Sequence, residues 1–352
     1  MTSPVRPGPR NTLTDVTGLR VGHHQRTGGG WLTGTTVVVA PPGGAVAGVD
    51  VRGGGPGTHE TDVLDPRNLV ERVHAIVLGG GSAYGLAAVP GVMDRLADAG
   101  IGFPVGTEPG QVVPIVPAAV LFDLGRGGDF RATPGPDFGA AAYDAATEAP
   151  VTLGTIGAGT GAVAGGIKGG VGSASAVVAG VTVGALAVVN AVGSTLDPTT
   201  GELYGTRFGL AGEFAGLRPP DQREWAAALE AAQAPAAAGR GVVESFHTTI
   251  GVLATDATLT KAQCQKLAGI GHDGMARAIR PVHSMFDGDT VFALASCAGP
   301  SLDPPAFNAV LAAAADAFTR AVAHGILAAD SAGGHHAYAD LCPSAVQQWR
   351  RR

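Results

Sequence analysis

The stretch ESFHTTIGVLATDATLTK, residues 244–261, sets two threonines, Thr248 and Thr249, at the start of an apolar, β-branched run. A hydroxyl is a poor nucleophile near neutral pH and needs an adjacent base. Breaking the His247–Thr248 bond would give Thr248 an α-amine with a pKa of about 7.7–8.0. One residue would then hold both nucleophile and base. The structural alternative is that a β-branched residue suits a strand start.

Four other places carry chemistry. Lys168 is the only charge in the glycine-dense run Gly154–Val178, where it could lower a nucleophile's pKa or anchor a carboxylate. Its surroundings, GGIKGG, lack the hydroxyl residue and glycine spacing of a phosphate loop. Asn190 closes an apolar run, where an amide is costly unless satisfied. Its side-chain N–H suits an oxyanion, and a turn or cap role stays open beside that. Asp287-Gly288-Asp289 could orient an ammonium or form a solvated turn, and with no third acid or histidine near them these acids make a poor cation site. LGGGSAYGL, residues 78–86, follows a strand and precedes a helix, but it lacks the third glycine of a dinucleotide loop. Its Gly80, Ser82 and Tyr84 are candidates for a pocket wall. The pairs His23-His24 and His335-His336 have no zinc spacing and read as surface residues.

Composition narrows the class. The chain has 352 residues, 56 glycines, 45% apolar and 15% charged residues, and a net charge of −6. That charge, without a basic stripe, argues against nucleic acid. Few charges and much apolar surface suit a homo-oligomer. Three cysteines, an odd number without metal spacing, and an N-terminus with no apolar segment suggest a reduced cytoplasmic setting. The apolar run 174–193 is long enough to test as a membrane span. Its glycines and valines read instead as two buried strands joined at Gly180, so no membrane partner is expected.

The elements that must position these residues come in groups. A strand meander fills the first part, and a strand through Leu78 leads into a helix ending near Ala99, stopped by Gly100. QVVPIVPAAVLFDL reads as a strand region, FGAAAYDAAT as a helix, and two strands lead to Asn190. A helix containing Trp225 decays into an Ala/Pro/Gly linker at about 235–241, where a chain tolerates cutting. Thr248, Ile250, Val252 and Ala254 share one face of a strand. Thr260 and Gln263 have capping-box spacing, and their helix ends before Pro281. A last helix covers about 306–328. Grouped strands and helices favour α+β layers over a doubly wound sheet.

Taken in order, LTDVTGLRVGH, LGGGSAYGL, GTGAVAGGIKGGVGSAS, VNAVG, TTIGVLATDATLTKAQ and HSMFDGDTVFA resemble the self-cleaving family of L-aminopeptidase/D-amidase-esterases. That family includes β-peptidyl aminopeptidases and nylon-oligomer hydrolases, and the resemblance covers nearly the whole chain. It implies a single domain, 1–352, folded as a four-layer αββα sandwich like that of N-terminal-nucleophile hydrolases but connected differently. It implies one self-cleavage, into an α chain 1–247 and a β chain 248–352, and a tetramer of αβ units. Matched residue by residue, the nucleophile falls on Thr248, the active-site lysine on Lys168, the oxyanion asparagine on Asn190, and the paired acids on Asp287 and Asp289. Thr249 supports the site.

No cofactor is implied, and the substrate is a small peptide or other linear amide: α-, D-, β-peptide and ω-amino compounds all fit. Two positions depart from the family. His247 stands where Asn or Gly is usual, which implies slower or blocked maturation. Phe122 replaces the tyrosine of the nylon-oligomer hydrolases, so that hydroxyl's role is lost. The rival readings are ornithine-acetyltransferase-like acyl transfer, whose motif before the threonine is absent, and an uncleaved, non-catalytic binding protein.

Overall fold

The computed structural model describes residues 4–237 and 246–349. Its strands are β1 (Arg6–Pro7), β2 (Arg20–Gly28), β3 (Trp31–Val39), β4 (Ala45–Val51), β5 (Gly57–His59), β6 (Arg72–Val73), β7 (Ala75–Gly79) and β8 (Phe103–Pro104). They continue with β9 (Val112–Val113), β10 (Ala118–Val120), β11 (Val163–Ala164), β12 (Ile167–Lys168), β13 (Val171–Val178), β14 (Val181–Val188), β15 (Ile250–Thr255) and β16 (Thr290–Ala295). The helices are α1 (Val89–Asp98), α2 (Pro136–Asp144), α3 (Gln222–Ala237), α4 (Lys261–Ala278), α5 (Pro304–Leu327), α6 (Tyr338–Leu341) and α7 (Pro343–Val346).

Two sheets carry the fold. One runs β1-β13-β14-β15-β16-β4-β6 and the other β2-β3-β7-β10-β5. In the larger sheet β14 pairs antiparallel with β15, Val188 opposite Ile250. β15 pairs parallel with β16, Ile250 opposite Thr290, and β16 pairs antiparallel with β4.

Strand alternation decides which residues fill which layer. Ile250, Val252, Ala254, Phe292 and Leu294 meet Val38, Ile76 and Leu78 of the other sheet, and Leu121 just past β10, in a core between the sheets. The opposite face of the large sheet, including Ala185, Leu253 and Ala293, packs on Leu267 and Met275 of α4 and Phe318 and Val322 of α5. Val37, Val77 and Ala118 on the outer face of the small sheet pack on Val92 and Leu96 of α1. The layers are therefore helix, sheet, sheet, helix, the α+β sandwich that the grouping and the resemblance imply.

Sequence signals account for several boundaries. Thr260 caps α4, accepting from the Gln263 N–H while the Gln263 side chain returns to the Thr260 N–H. The run 174–193 forms a hairpin of β13 and β14, turning at Ala179 and Gly180 with φ 50 and 80. α5 is long and apolar enough to cross a membrane by length and composition, yet 83% of its apolar window is buried in the protein. Other expectations need adjusting. QVVPIVPAAVLFDL yields only β9 and β10, because Pro114 and Pro117 supply no N–H to a ladder. α3 continues past Pro235 to Ala237, and the rest of the expected linker, 238–241, lies outside the described residues. His23 is not a surface residue: it is half-buried in β2, its Nδ1 2.9 Å from Thr36 Oγ1, and burial lowers its pKa to about 4.

Candidate active site

The β14–β15 register, continued two residues past the ladder, sets Asn190 opposite Thr248. The Thr248 N–H donates to the Asn190 carbonyl at 2.6 Å. The β15–β16 register, continued likewise, sets Gly288 opposite Thr248, and His247 bridges Asp287 in parallel. Residues about 40 and 60 positions away in the chain thus meet at one strand end because two ladders run into it. Thr248, Thr249, Asn190, Asp287 and Asp289 are all buried.

The bond before Thr248 is held on several sides. The Thr248 hydroxyl donates to the His247 carbonyl oxygen. That oxygen also accepts the Gly288 N–H at 3.2 Å, and the His247 N–H donates to Phe286 O at 3.1 Å. A Cβ at Gly288 would lie 2.6 Å from Thr248 Oγ1, so only glycine leaves the hydroxyl its place. On the neighbouring residue, the Thr249 N–H donates to Asp289 Oδ1 at 2.8 Å.

The two acids are braced rather than solvated. Asp289 Oδ2 accepts the His283 N–H at 3.1 Å and lies 2.8 Å from His283 Nδ1. Asp287 Oδ2 accepts from the Ser284 N–H and hydroxyl at 3.0 and 2.6 Å, and its Oδ1 from the Val192 N–H at 3.2 Å. Burial raises the Asp287 pKa, the Asp289 charge adds to the rise, and the Ser284 and Val192 donors hold it back.

Behind Asn190 lies a second polar layer. Arg126 donates to Asn190 Oδ1 at 2.5 Å and to Gly161 O at 2.7 Å, and the Val163 N–H donates to the same Oδ1 at 3.0 Å. Asn190 Nδ2 donates to Phe122 O at 3.3 Å. Lys168 pairs with Val163 across the β11–β12 hairpin. Its ammonium donates to the carbonyls of Gly159, Ala162 and Gly169 at 2.8–2.9 Å. Burial and the Arg126 charge lower the Lys168 pKa to about 7, while three carbonyl acceptors for three N–H groups favour the charged form. Lys168 reaches the site through this hairpin and Asn190.

Asp123 completes the layer. It is buried, accepts the Gly81 N–H at 2.6 Å, and has its pKa raised by burial against the opposing charges of Arg126 and Lys168. Gly80 abuts it, since a Cβ there would lie 2.2 Å from Asp123 Oδ2. Ser82 is half-buried, its N–H on Leu121 O at 2.9 Å, and Tyr84 is exposed. Of the expected wall, Gly80 and Ser82 therefore adjoin residues 121–123, while Tyr84 faces outward. Phe122 lies 5.7 Å from Phe246, which lies 5.9 Å from Phe286.

Asp123, Arg126, His283 and Ser284 are additions to the residues singled out from sequence, and Gly288, seen there only as the residue between two acids, gains a part of its own. Asp123 gave the same signal as Asn190, a polar side chain closing an apolar run. Among the described residues, no group of three His, Cys, Asp or Glu could hold a metal ion.

The model of peptidase family S58 matches residues 11–339. This chain belongs to that family. It is 50% identical over 95% of its length, and 99% of the relative's, to a protein of Mycobacterium tuberculosis described as an uncharacterized aminopeptidase. It is 31% identical to a 6-aminohexanoate-oligomer endohydrolase of Kocuria sp., over 83% of this chain and 77% of that one. Among solved structures it resembles the L-aminopeptidase D-Ala-esterase/amidase of Ochrobactrum anthropi, described as a variant of the Ntn hydrolase fold. The TM-score is 0.70 at 21% identity, over 98% of this chain and 96% of that one. A Burkholderia sp. beta-aminopeptidase gives 0.69 at 22%, over 100% and 96%. The S58 chain is thus a hydrolase of peptide or amide bonds of the aminopeptidase/amidase kind, on an Ntn-hydrolase-like sandwich.

Proposed function

We propose that this S58 hydrolase is made by its own first reaction and works through an N-terminal threonine. Thr248 Oγ attacks the His247 carbonyl carbon, the C–N bond to Thr248 breaks, and the acyl group moves to oxygen as an ester. Water then hydrolyses that ester, leaving a His247 carboxylate, a free Thr248 hydroxyl and a Thr248 amine. The chain becomes an α chain 1–247 and a β chain 248–352 of one domain. In turnover the amine takes the hydroxyl proton, Thr248 attacks a substrate amide, and water releases the acyl group.

One observation carries this: the His247 carbonyl takes the Gly288 N–H on its oxygen while the Thr248 hydroxyl rests against it. A hydrogen bond to that oxygen stabilises the negative charge that attack develops there. In this reading Asn190 O, which accepts the Thr248 N–H, holds the released amine, and Asp289, which accepts the Thr249 N–H, fixes Thr249 beside it. The Asn190 side chain, braced by Arg126, serves the substrate oxyanion, and Lys168 tunes the site through the layer that holds Asn190. The substrate is a small linear amide or peptide, and no cofactor takes part.

Intact mass and a denaturing gel of aged protein test the first step, and amide turnover tests the second. Two chains split at 247/248 are expected, with Thr248→Ala leaving one chain and no turnover. Turnover by an unbroken chain, or by Thr248→Ala, would overturn the assignment.

A further inference from the structure

The segment Phe246-His247 lies where an acyl group must lie, because its own carbonyl is the one presented to Thr248. It is held through the His247 backbone. The His247 N–H donates to Phe286 O at 3.1 Å, its C=O accepts the Gly288 N–H at 3.2 Å, and His247 bridges Asp287 in parallel. Both hydrogen bonds belong to one residue, with a single carbon between its nitrogen and its carbonyl. An added methylene, as in a β-amino acyl group, separates that pair of atoms and breaks the register of one contact.

The residue before it is held differently. The Phe246 ring sits between Phe122 at 5.7 Å, tilted, and Phe286 at 5.9 Å, edge-on. Phe246 and Phe286 remain 38% and 46% exposed, so this aromatic wall opens to solvent. When the bond breaks, Phe246 and His247 become the end of the α chain, and their withdrawal leaves both the strand edge and the aromatic gap open. The Asp287 and Asp289 carboxylates themselves take donors from Ser284, Val192, His283 and Thr249.

Building on the function proposed above, we infer that the mature site, besides single aminoacyl groups, takes α-peptide acyl groups two or more residues long and reads the second residue from the cut, favouring an aromatic or large apolar side chain there. The acyl residue replaces His247 on the edge formed by Phe286 and Gly288, and the residue before it places its side chain between Phe122 and Phe286. Such a substrate is cut within or near the end of a peptide, as this chain is cut after Phe246-His247.

The test uses the processed, two-chain enzyme and three p-nitroanilides: Phe-Ala, Gly-Ala and Phe-β-alanyl. Two aromatic contacts at ordinary strength favour Phe over Gly by about tenfold in kcat/KM. The Phe-β-alanyl compound is expected to be cut at least tenfold more slowly than Phe-Ala. Phe122→Ala should collapse the Phe-to-Gly ratio towards one, and acetyl-Phe-His should inhibit competitively, with acetyl-Gly-His about tenfold weaker. A two-chain enzyme that cuts Phe-Ala and Gly-Ala equally, or prefers the β-alanyl compound, overturns this inference while leaving the N-terminal threonine in place. A chain that stays whole overturns both.

Discussion

Gly288→Ala isolates the contact between the acid-bearing loop and the nucleophile. A Cβ on this residue would stand 2.6 Å from Thr248 Oγ1 and 2.8 Å from the Gly55 carbonyl. Ordinary contact begins near 3.4 Å, so the hydroxyl must retreat by about 0.8 Å or rotate away. The carbonyl on the other side is main chain and gives little. A misplacement of about 1 Å at reacting atoms costs on the order of 100-fold in rate. Overpacking of this kind also costs about 1–3 kcal/mol, which for a chain of this size lowers Tm by only about 1–4 °C. The variant should therefore fold, and cleave on the order of 100-fold more slowly than the parent. Gly55→Ala is the control: its nearest neighbours would be 3.9 and 4.0 Å away. The assay is a gel time course on freshly purified precursor, with a melting curve beside it. Maturation of Gly288→Ala at the parent rate, with Gly55→Ala unchanged, would refute the placement of Thr248 Oγ.

Two further substitutions probe the buried charges. Lys168→Met takes the ammonium donor away from Gly169 O, while Gly159 O and Ala162 O keep the N–H groups of Ala162 and Gly169; a loss of about 1–3 kcal/mol is expected in thermal unfolding. Because the Lys168 pKa falls from 10.5 to about 7 on folding, the unfolded chain binds more protons in that window. The parent should gain stability relative to Lys168→Met as pH rises from 7 towards 10.5, and a flat difference would count against a depressed value. Glu213→Gln weakens the bond to fully buried Arg320, 2.6 Å away, and should cost about 3–5 kcal/mol by chemical denaturation. Burial alone would raise Glu213, but hydrogen bonds from His324 and Arg320 bring it down to about 2. Its stabilisation is present above pH 4.5 and lost as pH falls towards 2, so the parent's advantage over Glu213→Gln should shrink across that range.

Much of the frame was legible because local rules and burial agree. The alternation of Ile250, Val252 and Ala254 foretold the face that lies between the sheets, and the Thr260 box marked the start of α4. Asn190 was visible as an amide closing an apolar run and Thr248 as a hydroxyl opening a strand, but their meeting was not, since it depends on the register of β14 on β15. Lys168 was visible as a lone charge; that its three N–H groups go to three carbonyls follows from the path of a glycine-rich loop no periodicity describes. Asp123 and Arg126 lay in LFDLGRGG, whose turn residues hide a return to the core. Gly288 looked like a spacer between two acids, and its N–H matters only because a parallel ladder places His247 beside it.

The interior strand β15 has a use beyond carrying Thr248. It is flanked by β14 on one side and β16 on the other, and β16 is flanked in turn by β4. A break at 247/248 would therefore leave two polypeptides zipped together along two seams, β14 to β15 and β16 to β4. Dilution has no purchase on such a pair. The halves would travel as one particle through any native separation and part only when the whole sandwich is undone.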